Sequence, residues 1–117
     1  MENVIHLEYR FRVHTLPSNG SNYPIIQIDE PHAYLGDLSH LGITSLPEVI
    51  QKLTDILDGP SSEIFDFGGE CTICTTEGGK TYCQDMFSDG HCIVETKWML
   101  EMLKGFQEFR QTPGVWT

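Results

Sequence analysis

The side chains able to do chemistry in this chain are four cysteines (Cys71, Cys74, Cys83, Cys92) and five histidines (His6, His14, His32, His40, His91). Cys71-Thr72-Ile73-Cys74 is a C-x-x-C, the spacing of a zinc knuckle or a redox dithiol. A structural zinc site favours two such pairs, but Cys83 and Cys92 stand nine residues apart. A redox C-x-x-C opens a helix, whose N-terminus lowers the thiol pKa, whereas this one sits in a strand pattern. His32 and His40 share a segment with Asp29, Glu30 and Asp37, the materials of a metal-dependent or thiol enzyme. His91 and Cys92 are adjacent on a strand and point to opposite faces, so they form no dyad. No H-E-x-x-H, phosphate-binding glycine loop or G-x-S-x-G elbow occurs. The residues therefore predict no catalytic set, no metal and no cofactor.

Charge gives a second line. The chain has 117 residues with 7 Lys+Arg against 17 Asp+Glu, a net charge of −10. Residues 29–95 hold 13 acids against Lys52 and Lys80, while the segments on either side are nearly neutral. Such a field opposes nucleic acid and anionic membranes and draws in basic partners, though it also simply keeps a domain soluble. Asp29, Glu30, Asp37, Glu63, Asp66, Glu70, Asp85 and Asp89 are the acids expected to gather on one side, with Tyr34 and Phe67 as aromatic anchors. Together these ten are the candidate partner-binding residues.

The elements that must position them are legible in part. Ile5, Leu7, Tyr9, Phe11 and Val13 alternate with His6, Glu8, Arg10, Arg12 and His14, a half-buried strand. The turn-rich run 17–22 links it to Ile25-Ile26-Gln27-Ile28 as a hairpin. Residues 29–44 read as an irregular loop with Tyr34, Leu35, Leu38 and Leu41 partly buried. Ser45-Leu46-Pro47-Glu48 has the form of a capping box, followed by apolar residues at helical spacing up to Gly59-Pro60. Glu63–Phe67, Cys71–Thr76, Lys80–Met86 and His91–Val94 are short strands, the middle two joined by Gly78-Gly79 as a two-residue turn.

That turn sets Cys74 opposite Cys83 and Thr76 opposite Thr81. Cys71, Ile73, Tyr82 and Met86 are expected to face the helices. Thr72, Cys74, Thr76, Thr81, Cys83 and Asp85 are expected to face solvent. Thr96 caps a second helix over 96–111, striped by Trp98, Met99, Met102, Leu103, Phe106 and Phe109. Gly105 inside it implies close packing there. The order β-β-loop-α-β-β-β-β-α predicts one α+β domain over 1–117, an antiparallel sheet of five to six strands with two helices on one face.

This order, with E-I-F-D-F-G-G-E-C-T-I-C after the capped helix, then Y-C-Q-D-M-F, then I-V-E-T before an amphipathic helix, resembles bacterial immunity proteins of contact-dependent and polymorphic toxin systems. The likeness is architectural and is carried by residues 45–110. It implies a stoichiometric cytoplasmic inhibitor that neutralises a basic nuclease toxin by mimicking nucleic acid. It implies a protein partner; the acidic field argues against nucleic acid or a membrane as partner, and a monomer is expected. A phage-encoded inhibitor of a nucleic-acid enzyme would use the same mimicry, and a subunit of a larger assembly would use the 96–111 stripe as an interface. Met1-Glu2-Asn3 lacks the basic-then-apolar start of a secretory signal. No apolar run approaches the ~20 residues of a membrane helix, so a cytoplasmic protein is expected.

Overall fold

A computed structural model describes residues 3–59 and 63–116. The alternating N-terminal segment and the apolar run after the turn pair as β1 (Tyr9–Thr15) and β2 (Asn22–Ile28), antiparallel from Tyr9↔Ile28 to Thr15↔Asn22. Residues upstream of β1 run instead to the main sheet, where Val4 bridges Ile93 and the Ile5 amide donates to the Ile93 carbonyl at 2.8 Å.

The expected loop 29–44 contains a 3₁₀ helix, Ala33–His40, in which Leu35 and Leu38 are fully buried. Leu35, Leu38 and Leu41 recur every three residues, which is one turn of that helix, so all three reach the core. Helix α1 (Ser45–Asp58) buries Leu46, Val49, Leu53 and Ile56. The predicted capping box is not formed: the helix already includes Ser45, and Thr44 at the cap position makes no side-chain capping bond. The Leu46 amide donates to the Gly42 carbonyl at 2.9 Å, so a preceding turn already satisfies a donor that a cap would serve. The expected stop at Gly59-Pro60 is met at Gly59, which follows the last helical residue; Pro60 lies outside the described residues.

Strands β3 (Ile64–Gly68), β4 (Thr72–Glu77), β5 (Lys80–Asp85) and β6 (His91–Glu95) form an antiparallel sheet in chain order. Cys74 pairs with Cys83 and Thr76 with Thr81, as the Gly78-Gly79 turn requires. The six strands are divided into sheets of two and four rather than joined in one, because β1 pairs only with β2. Helix α2 (Thr96–Arg110) buries Trp98, Met99, Leu100, Met102, Leu103 and Phe106. Thr96 is its first residue rather than its cap, with its hydroxyl turned inward to the Gly78 carbonyl. Tyr9 and Phe11 pack on Trp98, Phe106 and Phe109, and the Phe11 ring edge lies 3.0 Å from where a Cβ on Gly105 would stand. The architecture is α+β.

The larger correction concerns which face of the four-stranded sheet is inside. Thr72, Cys74, Thr76, Thr81 and Cys83 are buried, and Ile73, Tyr82 and Met86 are exposed, the reverse of expectation. Cys71 is half-buried just before β4, and Asp85, the last residue of β5 and the register partner of Thr72, is half-buried. Small side chains on the inner face leave room for the large ones of α2, and their hydroxyls are satisfied in place. Thr76 and Thr81 hydroxyl oxygens lie 2.8 Å apart, Thr81 and Thr96 2.9 Å apart, and Thr96 donates to the Gly78 carbonyl. The Thr72 hydroxyl donates to the Tyr34 carbonyl at 2.8 Å. A buried hydroxyl so paired carries little penalty.

Candidate functional site: the open face of the four-stranded sheet

Register places side chains in rows across the four strands. Phe65–Thr76–Thr81–Val94 and Phe67–Cys74–Cys83–Cys92 face the helices. The opposite face carries Ile64–Glu77–Lys80–Glu95, then Asp66–Thr75–Tyr82–Ile93, then Gly68–Ile73–Gln84–His91. Ile73 lies diagonal to Tyr82, with Met86 one step beyond the end of β5, so these three form an oblique apolar stripe. Met86 is 57% exposed and Ile64 61%, and Phe87, in the turn that follows, is 77% exposed. A shallow basin of about 380 Å³ lies on the β6 side of the stripe, lined by Ile73, Thr75, Tyr82, Cys83, Gln84, His91 and Cys92.

Acids ring this stripe. The connections 69–71 and 86–90 share one end of the sheet and bring Glu70, Asp85 and Asp89 there. Glu63, Glu77 and Glu95 stand at the other end, and Asp66 lies on β3 at the sheet's margin. Residues 63–95 hold these seven acids and Lys80 alone among the bases, a net charge of −6. Glu77 and Glu95 were not among the sequence candidates. Summing the face assignments of all four strands finds them, because Asp66, Glu77, Lys80, His91 and Glu95 then all fall on one face.

Several of the ten candidates have other occupations. The Asp37 carboxylate is 8% exposed and accepts from the Cys71 amide (2.7 Å) and the Thr72 amide (3.0 Å), with His40 Nδ1 at 2.9 Å. It ties the 3₁₀ helix to the start of β4 and is not a surface acid. A Cβ on Gly69 would collide with that carboxylate, so the Gly68-Gly69 pair serves this approach as well as ending β3. Phe67 is buried against the core and stacks on Phe65, which removes it as an anchor.

Tyr34 is half-buried and its hydroxyl donates inward to Cys92 Sγ at 3.4 Å, with His32 Nδ1 at 3.2 Å. Burial first, then the Cys92 bond, pushes that hydroxyl well above its usual pKa. Asp29 pairs with Arg10 at 2.9 Å beside the small sheet, and Glu30 follows it, so neither lies in the four-stranded sheet. Glu63 pairs with Lys52 at 2.7 Å, and Asp66 accepts from the Thr75 hydroxyl at 2.7 Å. Asp85 binds the Phe87 amide and the Ser88 hydroxyl and so builds the β5–β6 turn. Glu70 and Asp89 are exposed. Glu63, Asp66, Glu70, Asp85 and Asp89 thus surround one sheet, and Asp29, Glu30, Tyr34, Asp37 and Phe67 do not join them.

The cysteines do not converge on an ion. Cys74, Cys83 and Cys92 form a buried row across three strands, while Cys71 stands outside it, and all four are free thiols. Hydrogen bonding with Cys74 and then burial push the Cys83 thiol up. Hydrogen bonding with Cys83 and then burial do the same at Cys92. Burial, and then Asp37, Glu70 and Asp85, push Cys71 up. These are poor nucleophiles at neutral pH. His32 and His40 go to different partners, and among the described residues no group of three or more His, Cys, Asp or Glu is placed to hold a metal. No described helix is long and apolar enough to cross a membrane.

No protein-family model, curated protein or solved structure matches this chain.

Proposed function

We propose that this chain is a stoichiometric protein inhibitor of the immunity-protein kind, acting in the cytoplasm of the cell that makes it. It binds a basic nuclease toxin through the open face of its four-stranded sheet. The observation that carries the reading is the exposed apolar stripe Tyr82, Ile73 and Met86 on a face that also carries Asp66, Glu77 and Glu95 against Lys80. A sheet that turns its Thr and Cys side inward and leaves Ile, Tyr and Met in water forgoes burial worth roughly 25 cal/mol per Å². An exposed apolar patch with a charged rim is the usual form of a protein-binding surface.

In this reading the rim acids steer a cationic partner inward and stand where its substrate's phosphates would go. The stripe supplies the desolvated centre that slows dissociation, with Tyr82 in the role that Tyr34 and Phe67 were expected to fill. A standard interface takes about 800 Å² from each partner, roughly a ninth of the 7023 Å² surface here, so it would extend past the sheet onto the flanking turns.

The test compares two affinity columns, one bearing the wild-type chain and one an Ile73→Asp/Tyr82→Lys variant, loaded with lysate of the producing cells. The wild-type column should retain a basic protein at low salt whose nuclease activity falls to zero at one equivalent of this chain. The variant column should not retain it. Equal retention on both columns, or a retained protein whose nuclease activity is unaffected, would refute the reading.

A further inference from the structure

The four-stranded sheet has one open edge. On its other side β6 is met by the N-terminal segment through Val4 and Ile5, whereas among the described residues β3 has a strand neighbour only in β4. Which β3 groups face outward follows from bonds elsewhere in the sheet. The Asp85 amide donates to the Gly90 carbonyl and the Met86 amide to the Cys71 carbonyl, so odd residues of β5 bond toward β6 and even ones toward β4. Antiparallel ladders alternate, so Thr76 and Cys74 of β4 bond toward β3, where their partners are Phe65 and Phe67. The N–H and C=O groups of Ile64, Asp66 and Gly68 therefore point away from the sheet. None of the three makes a backbone bond outside its own ladder among the described residues.

Beside this edge, between β3 and α1, runs a groove of about 400 Å³ whose lining includes Leu41, Val49, Lys52, Phe65, Asp66 and Phe67. A strand laid along β3 would turn alternate side chains into that groove beside Phe65 and Phe67. The residue between them would face Asp66 on the open face.

We infer that β3 is a strand-addition site for an extended segment of the partner, in which a Lys or Arg opposite Asp66 is flanked by two aliphatic residues that fill the β3–α1 groove. This rests on the reading of the chain as a binder of a basic protein and adds how the partner's backbone is held. Charge complementarity selects the occupant. A second copy of this chain pairing antiparallel about Asp66 would set two carboxylates directly opposite each other, a repulsive cross-strand pair. The same carboxylate favours a cation there, and an edge charge of this kind is how free strands avoid self-pairing.

The probe is the peptide acetyl-Thr-Ser-Val-Lys-Val-Ser-Thr-amide, titrated into ¹⁵N-labelled full chain and followed by NMR shifts and amide exchange. Binding should slow exchange at the Ile64 and Asp66 amides, and replacing the peptide's Lys by Glu should weaken it roughly fivefold or more. Asp66→Pro removes an N–H that faces outward, so the sheet remains folded, as its dispersed spectrum will report. Asp66→Thr keeps that N–H and removes only the charge. The proline variant should lose binding by roughly tenfold relative to the threonine variant, since edge pairing needs the donor. Equal affinities for the two, protection at another edge, or self-association of the chain through β3 would overturn the inference. The Ile73→Asp/Tyr82→Lys variant should still take up the peptide, so strand addition can stand if the open-face reading fails, and fail while it stands.

Discussion

Replacing Asp37 by alanine removes the acceptor for two backbone donors at the start of β4, the Cys71 and Thr72 amides at 2.7 and 3.0 Å, together with the His40 contact at 2.9 Å. Bonds to a charged acceptor are worth about 1.5–3 kcal/mol each in net terms. Both amides share one carboxylate oxygen, Oδ2, so the pair is taken together as roughly 3 kcal/mol. His40 is 57% exposed, and a pair so open to water adds less than about 1 kcal/mol. The expected loss is roughly 3–4 kcal/mol, a large share of the ~5–15 kcal/mol that holds a domain together. In a thermal melt followed by far-UV circular dichroism this is a fall in Tm of about 12–16 °C, taking roughly 4 °C per kcal/mol for a domain of this size. Asp37→Asn keeps an acceptor oxygen and loses the charge, so it should cost about half as much. If Asp37→Ala melts within about 2 °C of wild type, the carboxylate holds nothing together. Asp37 would then belong with the surface acids.

Gly69→Ala should destabilise by roughly 2 kcal/mol or more, because its Cβ would collide with the Asp37 carboxylate and the Asp37 carbonyl oxygen; a urea midpoint equal to wild type would contradict that packing. Stability should also fall in alkali. The folded-state pKa values of Cys83 and Cys92 are raised, so their contribution is complete below the unfolded thiol value near 8.5 and is lost as pH climbs above it. The loss should be about 1.4 kcal/mol per thiol for each pH unit, measured by urea unfolding under reducing conditions between pH about 8 and 10.5. A flat profile over that range would show that the thiols titrate normally in the native state.

Strand pairing around the cysteines was legible because Gly78-Gly79 fixes a two-residue turn, and a turn fixes register. Helices α1 and α2 were legible because Val49, Leu53 and Ile56, and Met99, Met102, Leu103 and Phe106, recur at helical spacing. The sheet's orientation is not legible from β4 and β5 alone, where Ile73, Tyr82 and Met86 look more apolar than Thr72, Thr76 and Thr81. Adding β3 and β6 reverses the balance. Phe65, Phe67, Cys92 and Val94 share the Thr/Cys face, and Asp66, Glu77, Lys80, His91 and Glu95 all share the other. Asp37 carried no such signal, since a carboxylate three residues before a histidine in a polar segment gives no hint of two amides 34 and 35 residues away.

The sequence by itself determined the α+β class, the helices, the register about Gly78-Gly79 and the acidic excess over 29–95. Each is a local property: a period, a turn or a count. Only the tertiary structure decided which acids surround the open face, that Asp37 and Phe67 are spent inside, and that β3 has a bare edge. Those outcomes depend on what lies against each side chain across the fold. Burial of the Thr and Cys face is possible because Tyr34, Gly78 and Thr96, distant in sequence, supply the partners for its hydroxyls.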